Sequence, residues 1–151
     1  MPLIRHRSLT ALSRDHHHGL ILAQLIKKNA PAYRELPSTI EGKAEYTVRF
    51  YNSELANHFH EEEEVLIPFI IGRNNELDDL LSEIFAEHKQ IKILVDLIEK
   101  KFNLADNLNE LGELLSLHIR KEERILFPKI QEVFTSEELD ALGELLARQG
   151  R

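Results

Sequence analysis

The chain has 151 residues, enough for one domain that buries a core without cross-links, and no cysteine, which excludes disulfides and thiolate metal sites. Its 26 acidic residues outnumber 19 basic ones for a formal net charge of -7, and no basic block stands out. Nucleic acid is therefore not expected as a partner, because phosphate neutralisation needs clustered Lys and Arg. No segment approaches the roughly 18 uninterrupted apolar residues of a membrane span. The first residues, MPLIRHRSLTAL, lack the apolar core and small-residue cleavage site of a secretory signal, so a soluble, cytoplasmic protein with no membrane partner is expected.

A first helix is predicted from about Ser8 to Asn29, since Leu9, Leu12, His16, Leu20, Ala23 and Lys27 recur at three- and four-residue steps, with Pro31 and Pro37 beyond its end. Ser38 followed by Glu41 reads as a capping box that opens a long second helix through Glu45, Phe50, Leu55 and Phe59 toward Pro68. Gly72, Asn74 and Asn75 make the next corner. A third helix from about Asn75 to Phe102 carries Leu77, Leu81, Ile84, His88, Ile91, Val95 and Ile98 on one stripe, which points His88 inward. A fourth, from about Asp106 to Phe127, carries Leu111, Leu114 or Leu115, His118, Glu122 and Ile125 likewise. Thr135 and Glu138 form a second capping box ahead of a short helix over residues 136–149. No useful period-2 segment appears. The fold class is all-α: a single domain over residues 1–151, built as an up-down-up-down four-helix bundle over about 8–130 with a short C-terminal helix.

One motif is written twice, at His58 to Pro68 (HFHEEEEVLIP) and at His118 to Pro128 (HIRKEERILFP). His58/His118, Glu62/Glu122, Glu63/Glu123, Leu66/Leu126 and Pro68/Pro128 share offsets. A His and a Glu four residues apart lie one above the other on a helix, about 6 Å apart along its axis, within reach of a common metal ion. The segment around His16 (DHHHGLILAQLIKK) resembles the one around His88 (EHKQIKILVDLIEK), with Asp15-His16 set against Glu87-His88. The chain thus reads as a half-unit used twice: a helix with one His, then a helix with His-x-x-x-Glu.

Inward placement of these groups has a cost that decides between chemistry and scaffold. A buried carboxylate without a partner costs several kcal/mol even after relaxation. Two converging carboxylates would repel unless a cation lay between them. Two halves that each give His, His and Glu offer more donors than one tetrahedral zinc uses, and they suit two ions bridged by both Glu with two His on each. Imidazole and carboxylate fit iron, zinc, manganese or copper. The candidate ligands are His16, His58, Glu62, His88, His118 and Glu122.

These residues resemble the hemerythrin-like HHE cation-binding domains. The family pattern of His, His-x-x-x-Glu, His, His-x-x-x-Glu with a Leu-aromatic-Pro ending is matched by His16, His58-Glu62, His88, His118-Glu122 and Ile125 to Pro128, over roughly residues 8–130. The resemblance implies two iron ions in an oxo- or hydroxo-bridged non-heme centre inside a four-helix bundle, with zinc or manganese as substitutes. The family's invertebrate oxygen carriers have a fifth His one turn from the third-helix ligand, whereas Ile84 and Lys92 flank His88 here. In those carriers an Asp follows the fourth-helix His by five residues, whereas here Glu122 follows His118 by four. This chain looks more like the four-His, two-Glu branch, similar to bacterial proteins linked with repair of iron centres and with nitric oxide or oxygen stress. A protein that binds, senses or reduces a small diatomic ligand or peroxide, or that handles iron under such stress, is implied, with a redox partner if it turns over. A metal-storage or structural bundle is the alternative.

His17 and His18 point about 100° and 200° away from His16, so at most one of the three belongs to the site; the repeat selects His16, with His17 as the alternative. His60 and most of the Glu61–Glu64 run are assigned to solvent. Glu63 and Glu123 are placed at the surface, with hydrogen bonding to ligand imidazoles as the alternative. Tyr51 is assigned to core packing, with a hydrogen bond to a bound ligand as its alternative.

Overall fold

The computed structural model describes residues 4–149 and contains no strand among them. A 3₁₀ turn at Arg7–Leu9, capped by the His6 side chain on Ser8 N–H, leads into the first helix, Thr10–Leu25. The helix stops before the predicted Asn29, because the Lys28 N–H is taken by the Asn109 side chain and the Ala30 N–H by Lys27 O. The second helix occupies residues 40–70 and starts one residue later than the predicted box. Thr39, not Ser38, is its cap, accepting from Gly42 N–H through its hydroxyl. Gly72, at φ 92°, turns the chain into the third helix, Asn75–Glu99, which Asn74 caps on Leu77 N–H. The fourth helix covers residues 104–133 after Asn103 in the left-handed region at φ 40°, and Ser136–Ala147 forms the fifth behind the Thr135/Glu138 capping box.

The two motif prolines do not end their helices as predicted. The second helix runs on to Ile70 and the fourth to Val133, because a π-turn precedes each proline, at Glu62–Leu66 and at Glu122–Leu126. Proline has no N–H, and its ring collides with the carbonyl four residues back in a regular α-helix. Here the preceding residue reaches five back instead, Ile67 N–H to Glu62 O and Phe127 N–H to Glu122 O. The extra residue slips the inner face by one position. Leu126 and Phe127 are fully buried, while Ile125, predicted to face inward, is 52% exposed.

Two apolar clusters fix the topology. One gathers Leu22 to Ile26, Ala44 to Phe59, Ile91 to Ile98 and Leu108 to Ile119; the other gathers Leu9 and Leu12, Val65 to Ile70, Leu77 to Ile84 and Leu126 to Phe134. Successive helices therefore run from one cluster to the other and back, the predicted up-down-up-down order. Leu139, Leu142 and Leu146 of the fifth helix close the second cluster. His16, His58, Glu62, His88, His118 and Glu122 fall between the two, in a polar layer enclosed above and below by apolar side chains. No helix among the described residues is long and apolar enough to cross a membrane.

Candidate metal centre

Regular α-helical geometry holds from His58 to Glu62 and from His118 to Glu122: the Glu62 N–H bonds to His58 O and the Glu122 N–H to His118 O. The side chains of each pair consequently share a line, with His58 Nε2 3.3 Å from Glu62 Oε1 and His118 Nε2 3.3 Å from Glu122 Oε2. The first and third helices bring the other two imidazoles to the same level. His16 Nε2 lies 2.7 Å from Glu122 Oε1, and His88 Nε2 lies 3.2 Å from Glu62 Oε1. All six sequence-assigned residues are brought together, and all are buried, Glu62 and Glu122 at 0% exposure. His17 and His18 are exposed, so the structure selects His16.

The donors divide into two groups, His16, His58, Glu62 and Glu122 on one side and Glu62, His88, His118 and Glu122 on the other, with the donor atoms of each group within 4.8 Å of one another. Both carboxylates belong to both groups. The halves match closely: the His16 and His58 rings are 5.0 Å apart at 62°, and the His88 and His118 rings 5.0 Å apart at 60°. Phe127 stacks on His16 and Phe59 on His88, walling the layer with apolar faces.

His16 Nδ1 is buried without a hydrogen-bond partner on the outer side of its ring, and so are several atoms on the inner side: His58 Nε2, His88 Nε2, His118 Nε2, both Glu62 oxygens and Glu122 Oε2. Buried polar atoms are rarely left so, and the inner ones all face the centre of the layer. The donor set and its orphaned atoms fit a pair of bound cations. Electrostatics agree. Burial opposes charge on His118, yet Glu122, with Glu87 and Glu62, outweighs it and pushes the pKa up to about 10; His58 is raised well above its ordinary value against the same opposition, chiefly by Glu62. Glu122 is held well below the usual carboxylate range although burial works against it, because His118, His16 and His58 surround it. A negative potential strong enough to keep protons on these rings is one that favours cations in the same place.

The opposite ring nitrogen of each His faces a second carboxylate. His58 Nδ1 is 2.9 Å from Asp15, His88 Nδ1 2.8 Å from Glu63, and His118 Nδ1 2.7 Å from Glu87; His16 Nδ1 makes a longer contact, 3.5 Å, to Glu123. Glu63 and Glu123 are thus not free surface groups, because helix packing turns them toward neighbouring imidazoles. The sequence signal for Asp15 and Glu87 is an acid immediately before His16 and before His88, which marks the repeat but not the imidazole that each acid meets. Glu61, assigned to solvent, is buried at 6% exposure because it lies three residues after His58 and so near the inward face of the helix, whereas His60 is exposed as predicted. Tyr51 is buried against Phe59 and lines a surface depression of about 400 Å³ with Glu63, His88 and Lys92, which matches its packing assignment.

Compared with known families, the sequence matches the hemerythrin HHE cation binding domain over residues 7–130. The chain belongs to the hemerythrin family. No curated protein and no solved structure gives a significant match. The hemerythrin match covers the first three bundle helices, the fourth up to Ile130 and all six converging residues, and it ends before the fifth helix. Iron is the metal that membership of a hemerythrin family implies, and this member carries a buried His/Glu cluster able to hold metal.

Proposed function

We propose that this hemerythrin-like chain is a non-heme di-iron protein of the cytoplasm that binds or reduces small oxidants such as dioxygen, nitric oxide or peroxide. The observation that carries the reading is the sharing of Glu62 and Glu122 by both donor groups, which suits two ions bridged by two carboxylates. His16 and His58 would hold one ion through Nε2, and His88 and His118 the other. Bound there, a pair of iron ions would supply one-electron redox chemistry and open positions for a small ligand. The chain's own part is to fix six donors in a layer from which water is excluded by Phe59, Phe127 and the apolar clusters on either side. Turnover would draw electrons from a reductant or redox partner.

A second reading, a storage or structural bundle, rests on the direct His16 to Glu122 hydrogen bond, which lets protonated imidazoles neutralise the layer without metal. Metal counting on Glu122→Ala and His58→Ala separates the two. The wild type is expected to hold two ions per chain and each variant to lose at least one; two tightly held ions in both variants would reject the ligand assignment. Absorption bands of a bridged ferric pair in the iron-loaded wild type would dismiss the structural bundle.

A further inference from the structure

The carboxylates behind the imidazoles run in order around the bundle. Asp15, next to His16 on the first helix, serves His58 on the second; Glu63, next to Glu62, serves His88 on the third. Glu87, next to His88, serves His118 on the fourth, and Glu123, next to Glu122, makes the longer 3.5 Å contact back to His16 on the first. Each of the first three helices therefore supplies a donor to the centre and orients the donor of the helix that follows. Glu87 and Glu123 have further partners. Lys121 pairs with Glu87, while Arg5 and Ser13 contact Glu123.

We propose that Asp15, Glu63 and Glu87 are positioning residues, which accept the Nδ1–H of His58, His88 and His118 and so turn each Nε2 into the layer before an ion arrives, with Glu123 in the corresponding place 3.5 Å from His16 Nδ1. An imidazole with neither nitrogen engaged can rotate about its Cβ–Cγ bond and present either nitrogen. One whose Nδ1–H is taken by a carboxylate presents Nε2 alone and is a stronger donor. Side-chain exposures of 33% for Asp15, 31% for Glu63 and 29% for Glu123 mean that solvent already hydrates these groups, so placing them for charge alone gains little. Their common property is the nitrogen they face. Lys121 adds a constraint at His118, since it fixes Glu87 from the far side and also reaches Glu83 at 3.3 Å.

This role rests on the metal-centre reading, and zinc, which is diamagnetic, tests both separately. Zinc affinity is measured by chelator competition and the ring N–H protons by nitrogen-15 NMR of the zinc-loaded protein, for wild type, Glu63→Gln, Glu63→Leu, Glu87→Gln and, as control, Glu76→Gln, an exposed third-helix carboxylate that pairs with Lys129. Loss of one such partner is expected to weaken metal binding about 10- to 100-fold. Glu63→Leu should show this loss, and its His88 Nδ1–H should move upfield and exchange rapidly with water. Glu63→Gln should recover part of both, Glu87→Gln should alter the His118 resonance, and Glu76→Gln should leave affinity and spectrum unchanged. Wild-type affinity and an unshifted His88 Nδ1–H in Glu63→Leu would overturn the positioning role. Failure of the wild type to hold zinc would overturn the metal-centre reading and this role with it.

Discussion

At the scale of single residues, the centre depends on groups that are costly to bury and on one that has almost no side chain. Six ionisable donors sit in a layer that apolar packing closes from both sides, so each must find a counter-charge or lose its own. The helices that carry them must also come close, and Gly112 sets the approach of the first and fourth. A Cβ built there would lie 2.7 Å from the Ala23 carbonyl oxygen, a backbone atom that cannot step aside. Alanine in place of a helical glycine ordinarily gains about 0.5–1 kcal/mol, whereas forced overpacking costs about 1–3 kcal/mol. The clash should win. Gly112→Ala is expected to lower stability by about 1–2 kcal/mol, seen as a lower urea midpoint, and an unchanged or raised midpoint would show that the helices part easily.

At the scale of elements, the π-turns and the caps decide where side chains point. The π-turns Glu62–Leu66 and Glu122–Leu126 each begin at a carboxylate and end two residues before a proline, so the His-to-Glu step above them stays α-helical while the core face below them moves by one residue. The third π-turn, Tyr51–Leu55, has no proline after it and no counterpart in the fourth helix, and the structure supplies no reason for it. The fifth helix is held differently, through its cap. Glu138 completes the capping box and pairs with Arg73 on the turn before the third helix, and these contacts hold its carboxyl down at about 2. A carboxyl lowered on folding adds stability that is present above its unfolded pKa, near 4.5, and is lost as pH falls toward about 2. Arg73→Gln should therefore shrink the part of the acid-induced stability loss between those pH values, and should do so less at high salt because the pair is exposed. Identical acid profiles for wild type and variant would contradict it.

At the scale of the molecule, two apolar clusters and one polar layer between them make folding and metal uptake parts of one equilibrium. The donors meet only when all four helices are docked, so ions that bind them bind the folded state alone. A ligand at a thousand times its dissociation constant adds about 4 kcal/mol. In a chain of this size each kcal/mol moves the melting temperature by about 2–4 °C. Removing metal with a chelator should thus lower the melting temperature by on the order of 10 °C, measured by circular dichroism at 222 nm. A melting curve indifferent to chelator and added iron would mean that the layer is satisfied by its own protons.

The local period was readable because a helix repeats its face every three to four residues whatever surrounds it. The duplicated His-x-x-x-Glu, the solitary His16 and His88, the stripe along the third helix and the Thr135/Glu138 cap could therefore be placed from the sequence, and the structure agrees with each. What the period could not carry was any relation between helices. Whether Glu63 and Glu123 met solvent or an imidazole depended on which neighbour docked beside them, as did the use of Asp15 and Glu87. Ile125 faces solvent and Leu126 the core because a proline's lost N–H was absorbed by a wider turn, which a fixed 3.6-residue repeat does not contain. The sequence by itself determined which residue types can hold cations and at what spacing along each helix. Only the tertiary structure decided which nitrogen of each ring faces the layer, since that depends on contacts between residues far apart in the chain.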